Sequence, residues 1–364
     1  MRRIVIILTI SASLYPCFAG INGSVRIAAI RVSFLEDDSP GTTGDGSFLL
    51  NAPVDTCGKY TIDPVPHDRS YFESQLVAVN NYYRSVSYGK FGLDLDQSTV
   101  FPLSDENSYV LPEKMDYYHP YNQTDLHDQL VTELFRDAIE TAHNDDEIDF
   151  SNYDHIVVFH AGIGQDFSLP FLDPTPEDIP STFIDGDMLQ EYVGGVLQYG
   201  SATINQGIIL PETQNHLFYQ ESENIFFDAE EPCDYQYGLT GTFALMLGFA
   251  IGLPPLWNTN SGQSGIGIFG LMDQGSNNGR GLIPAPPDAW CRKFAGWELP
   301  LIVMPSKTIN LPSRSEDNLV QIPINETEYF LIENRTNWYQ GCLLYTSDAA
   351  DDTPCVDLGG RRII

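Results

Sequence analysis

Leu239-Thr-Gly-Thr-Phe-Ala-Leu-Met-Leu-Gly-Phe-Ala-Ile-Gly-Leu-Pro-Pro-Leu-Trp-Asn258 is the stretch that decides how the rest of this chain is read. Apolar residues run from Leu239 to Ile251, a length and character suited to a helix over 239–252 that is held against a core. Gly248 allows a neighbour to approach that helix closely, and Gly252-Leu-Pro254-Pro255 supplies the turn that ends it. Residues four apart share one helical face, so Leu245 and Phe249 stand together with Met246 beside them. All three are apolar.

That arrangement resembles the active-site helix of a zincin. There the pattern His-Glu-x-x-His puts two imidazoles on one face to hold zinc, with a Glu as general base. The two His positions are Leu245 and Phe249 here, and the Glu position is Met246. The surrounding frame is similar to the immune inhibitor A family of secreted bacterial metallopeptidases. The chain keeps that family's Thr242, Phe243, Ala244, Gly248, Ala250, Gly252, Leu253, Pro254 and Leu256, but has Pro255 where the family has an Asp as third zinc ligand. Ser264 to Asp273 resembles the family's approach to its Met-turn, with Met272 as the methionine. Gly281 to Trp290, Gly296-Trp297, Asp63 to Phe72 and Phe159 to Asp166 fit the same scaffold, so the resemblance covers roughly 55–335. It implies an α/β (α+β) zincin-like fold with a mixed sheet and a former active-site helix.

It does not imply the activity. The seven histidines are His67, His119, His127, His143, His155, His160 and His216; none are four apart and none follow 216. His155 and His160 fall five apart on an expected strand and so point to opposite faces. A zinc site is therefore not expected, and without a Glu at 246 the general base that activates water is missing too. A single leftover imidazole would be costly to bury unpaired, whereas hydrophobes at all positions avoid that cost. Each buried Leu or Phe contributes ~1.5–3 kcal/mol, so the former cavity is expected to close into packed core.

Outward from this helix, Val25 to Phe34 alternates with a phase slip at Ala28-Ala29, as a half-buried strand with a bulge would. Phe72, Leu76, Val79, Tyr83 and Val86 recur at helical spacing before Gly89, and residues 126–138 form a second amphipathic helix with Thr124 as candidate cap. Leu93–Phe101 reads as a strand, and Asp154–His160 suits a central one. Gly207, Ile208, Ile209 and Leu210 are the candidate edge strand of a cleft for an extended peptide. From Leu301, short runs at Thr308–Leu311, Leu319–Ile324 and Tyr329–Glu333 read as the start of a β-rich domain over 301–341.

Composition bounds the partners. Fifty Asp and Glu against 18 Lys and Arg give a net charge of −32, which disfavours nucleic acid and anionic membranes. Asp145, Asp146 and Asp149 lie in an acidic loop that offers calcium hard oxygen ligands, without the spacing of an EF-type loop. Met1-Arg-Arg, the apolar run Ile4–Leu14 and the small residues near Ala19 form a secretory signal over 1–19, too short for a membrane span. Residues 342–364 read as a non-native tail, leaving Cys57, Cys233 and Cys291 with one disulfide at most among them. The expectation is an exported bacterial protein whose 20–300 region is a peptidase-type domain without its zinc site. Its role is binding an extended peptide or protein, or a structural one. The alternative is an active secreted metalloendopeptidase with an atypical metal arrangement.

Overall fold

The computed structural model describes residues 20–51, 61–167, 175–216, 236–259, 261–304, 308–312 and 319–335. The proposed signal segment, the tail, Cys57 and Cys233 lie outside the described residues. In chain order the elements begin with β1 (Gly23–Val25), β2 (Ile27–Ser33), α1 (Arg69–Val86), β3 (Phe91–Leu93), β4 (Thr99–Phe101) and β5 (Tyr109–Val110). There follow α2 (Met115–Tyr118), α3 (His127–Asp146), β6 (His155–Ile163), β7 (Thr182–Ile184), α4 (Gly186–Tyr192), β8 (Leu197–Tyr199), β9 (Ala202–Ile204) and β10 (Gly207–Thr213). Last come α5 (Leu239–Ala250), α6 (Ala289–Phe294), β11 (Leu301–Ile302), β12 (Leu319–Pro323) and β13 (Tyr329–Glu333).

The fold is mixed α/β. Its main sheet has the order β4-β2-β6-β10-β7, with β5 also paired to β2. Every pairing in it is parallel except β7 against β10. Helices cover both faces: Phe72 of α1 and Phe243 of α5 meet Phe159 of β6, while Phe135 of α3 stands against Gly207 on the other side. A strand covered on both faces buries every side chain and needs no alternation. This explains the apparent phase slip at Ala28-Ala29. All seven residues of β2 are buried, and Ile27 to Val32 pair with His155 to His160 in unbroken register, so the strand has no bulge there.

Asp68 caps α1, its carboxylate accepting the Tyr71 N–H at 3.1 Å. Thr124 does not cap the second long helix: it begins a 3-10 turn to Leu126, and α3 starts at His127 with no side-chain cap. The expected strand 93–101 is two strands, β3 and β4, separated by the turn that follows Leu93. Beyond α6, β11, β12 and β13 form a three-stranded sheet, while 308–311 is not a strand. The buried Arg292 ties this sheet to the rest, with Nε on Glu298 at 2.8 Å and Nη2 on Glu333 at 2.6 Å.

Candidate functional site, a cleft over the apolar helix

Helix α5 packs on β10 and α1 through Leu239, Phe243, Ala244 and Leu247, all buried. Tyr83 of α1 donates its hydroxyl proton to the Ala244 carbonyl at 2.6 Å, fixing the two helices together. On the flank of α5, Met272 lies so near Gly248 that a Cβ there would sit 2.7 Å from its sulfur. Only glycine permits that approach.

The opposite face is open. Leu245, Met246 and Phe249 are half-buried rather than enclosed, and Pro255 is exposed. Leu245 and Met246 line a cleft of about 290 Å³ together with Thr242, Trp257, Asp166 and Asp273. The expected closure into packed core is therefore corrected. The face carries apolar side chains, yet the loop carrying Trp257 stands off the helix and leaves a groove between them.

Phe249 stands beside that groove. Its ring lies 5.6 Å from Trp257, edge to face, and 6.0 Å from Phe183 of β7. Strand β7 pairs on one side with β10, and among the described residues it has no second neighbour. It is thus the edge of the main sheet beside the cleft. Of the candidate edge residues, Gly207, Ile208 and Ile209 are instead interior: they lie in β10 between β6 and β7, so their backbone is committed to the sheet. Leu210 is buried and pairs with Phe159 of β6, and lies beyond the last β7 partner, Thr182. The physical reason is the antiparallel strand 182–184, which covers the flank of β10 over Gly207, Ile208 and Ile209.

Two carboxylates rim the groove. Asp273, next to Met272, accepts the N–H groups of Gly265, Ile266 and Gly267 at 2.8 Å each, together with the Ser264 hydroxyl at 2.9 Å. Burial works against its charge, but these donors outweigh burial and hold its carboxyl below the ordinary range. Asp166 is exposed and accepts from the Ser181 hydroxyl at 2.8 Å, the Ser181 N–H at 3.1 Å and the Gln214 amide.

Behind α5 a buried polar cluster anchors its first turn. Asp63, with φ of 48°, accepts the Leu239 N–H at 2.8 Å and the Gln75 amide at 3.1 Å. His67 bridges the Asp63 carbonyl at 2.9 Å and the Glu212 carboxylate at 2.7 Å, two acceptors that favour the charged ring with a proton on each nitrogen. Burial opposes that charge, yet Glu212 and Asp63 outweigh it and raise His67 above its ordinary value. His160, by contrast, is buried within β6, and burial pushes it down to about 4.

No protein-family model matches the chain, and no curated protein matches its sequence.

Two carboxylates of the acidic loop have partners within the protein. Asp149 caps the turn 150–152 through the Ser151 N–H and hydroxyl, and Asp146 accepts the Tyr109 hydroxyl. Among the described residues no three His, Cys, Asp or Glu side chains form a metal-ligating group. Cys291 is buried and its thiol free, raised by that burial. No described helix is long and apolar enough to cross a membrane.

Sequence reasoning missed Phe183, Trp257, Asp166 and the anchoring Glu212. Thr182-Phe-Ile184, an apolar run between Pro180 and Asp185-Gly186, carried a strand signal. Nothing local marks Trp257 or Asp166, whose meeting depends on how loops cross the sheet edge.

Proposed function

We propose that this chain is an exported, zincin-like scaffold, akin to the immune inhibitor A peptidases, that binds an extended peptide without hydrolysing it. The observation carrying this reading is the open groove lined by Leu245, Met246 and Trp257, with Phe249 beside it and next to β7, which has no second strand neighbour among the described residues. An exposed sheet edge accepts an added strand through backbone hydrogen bonds, and a neighbouring apolar pocket selects alternate side chains. The order of the main sheet, its antiparallel edge strand and Met272 packed against α5 all support the scaffold assignment.

Zinc does not fit the residues at that place. Leu245, Phe249 and Pro255 carry only hydrocarbon, and Met246 a thioether, where the ion takes imidazole, thiolate or carboxylate. The base position holds Met246, which cannot take a proton from water.

The test has two arms. Purified protein should leave casein intact with and without a chelator, while a displayed library of random nonapeptides should enrich on it. That enrichment should vanish on the Phe249→Ala, Trp257→Ala double variant. Casein cleavage that the chelator abolishes would overturn the reading in favour of a peptidase. A library that enriches nothing would leave the chain as a spacer module.

A further inference from the structure

We infer that the groove selects one large side chain with an apolar body and a single hydrogen-bond donor at its tip, the phenol of Tyr or the indole of Trp. This rests on the peptide-binding reading and adds the chemistry of the anchor. The cleft of about 290 Å³ lies at the low end of the roughly 300–1,000 Å³ typical of ligand pockets, so it holds one bulky side chain rather than several. One wall is Leu245, Met246 and Trp257, a surface on which an aromatic ring gains both area and favourable sulfur and edge contacts.

The remaining lining is polar. Asp166, Asp273, Gln274, Ser276 and Asn277 face the same space. Asp273 already accepts five donors, four from the loop 264–267 on Oδ2 and the Gln274 N–H on Oδ1, so its charge is spent on holding that loop. Asp166 is different. Ser181 and Gln214 hold it in place mainly through Oδ2, and Oδ1 takes the Ser181 N–H alone at 3.1 Å. A carboxylate has about four acceptor sites, so Oδ1 keeps room for one further donor. One O–H or N–H satisfies that oxygen. A guanidinium brings five donors against an aliphatic wall, most of which would lose water without a replacement partner. A plain phenyl ring fills the space but offers Asp166 Oδ1 no further donor. The rim therefore favours Tyr and Trp over Phe, Leu and Arg.

The experiment uses the nonapeptide library and follows it with synthetic peptides from the enriched pool that differ only at the anchor. On the wild-type protein, Tyr or Trp should occupy the anchor, and replacing Tyr by Phe should weaken binding about tenfold, as the loss of a hydrogen bond to a charged acceptor does. Asp166→Asn should reduce that Tyr-over-Phe ratio to about twofold. The wild-type Tyr and Phe comparison needs no variant, so a misfolded Asp166→Asn protein does not rescue the idea. Equal binding of Tyr and Phe peptides, or enrichment of Arg or Lys at the anchor, would overturn this inference and leave peptide binding standing. Enrichment of nothing would overturn both.

Discussion

Phe135 of α3 occupies the space that a side chain on Gly207 of β10 would need; a Cβ built there overlaps its ring. The relationship locks the first residue of an interior strand to the helix on one face of the sheet. It also explains why a glycine opens a strand that is otherwise a run of apolar residues.

Gly207→Ala should therefore destabilise the protein by about 2–3 kcal/mol, at the upper end of overpacking costs. Phe135→Leu in the same chain should recover part of the loss, because the smaller side chain vacates the space. Urea midpoints of the two single variants and the double variant give the coupling directly. An additive double variant would mean that the two residues do not meet.

Breaking the His67 and Glu212 pair with Glu212→Gln should cost about 3–5 kcal/mol, since it leaves a buried charge uncompensated. The pH dependence has a definite sign. His67 is raised above 6.5, so its contribution is full below that value and drains as pH rises through its folded value. Asp63, raised above 3.8 by burial, acts in the same direction at lower pH. The stability gap between wild type and Glu212→Gln should narrow as pH climbs beyond 6.5, measured by urea melts across the range. A gap that widens would contradict the assignment of charge to His67.

The groove-facing positions are half-buried or exposed, so polar groups introduced there remain close to solvent. The combined changes Leu245→His, Met246→Glu, Phe249→His and Pro255→Asp should yield a folded protein holding one zinc ion per chain by elemental analysis, against none for wild type. A folded quadruple variant without zinc would count against the proposed zincin-like frame.

Arg292 is buried with Glu298 at one side and Glu333 of β13 at the other. Arg292→Ala strands the Glu298 carboxylate in the interior and should cost about 3–5 kcal/mol. Amide hydrogen exchange should rise first in β12 and β13, because their link to α6 is cut. Uniform loosening of the main sheet instead would place the role of Arg292 elsewhere.

Much of this architecture was legible locally. The 3.6-residue spacing of Phe72, Leu76, Val79 and Tyr83 placed α1, and the apolar run in 154–160 placed the central strand β6. Both signals come from burial, which leaves its period in the sequence. The edge assignment failed because β10 carries the same apolar signature whether a neighbour covers one flank or two. Strand β7, only three residues long, carried a strand signal but none that placed it beside β10.

The sequence by itself determined that α5 is a helix held by glycine-mediated packing and that positions 245, 246, 249 and 255 offer no zinc ligand, since those are properties of residue type and helical period. Only the tertiary structure decided that Leu245 and Met246 line an open groove instead of a filled core. It also decided that β7 borders that groove and that Asp166 and Asp273 rim it. Such facts depend on the paths of loops 164–167 and 257–273, and on contacts between residues far apart in the chain, for which local composition carries no signal.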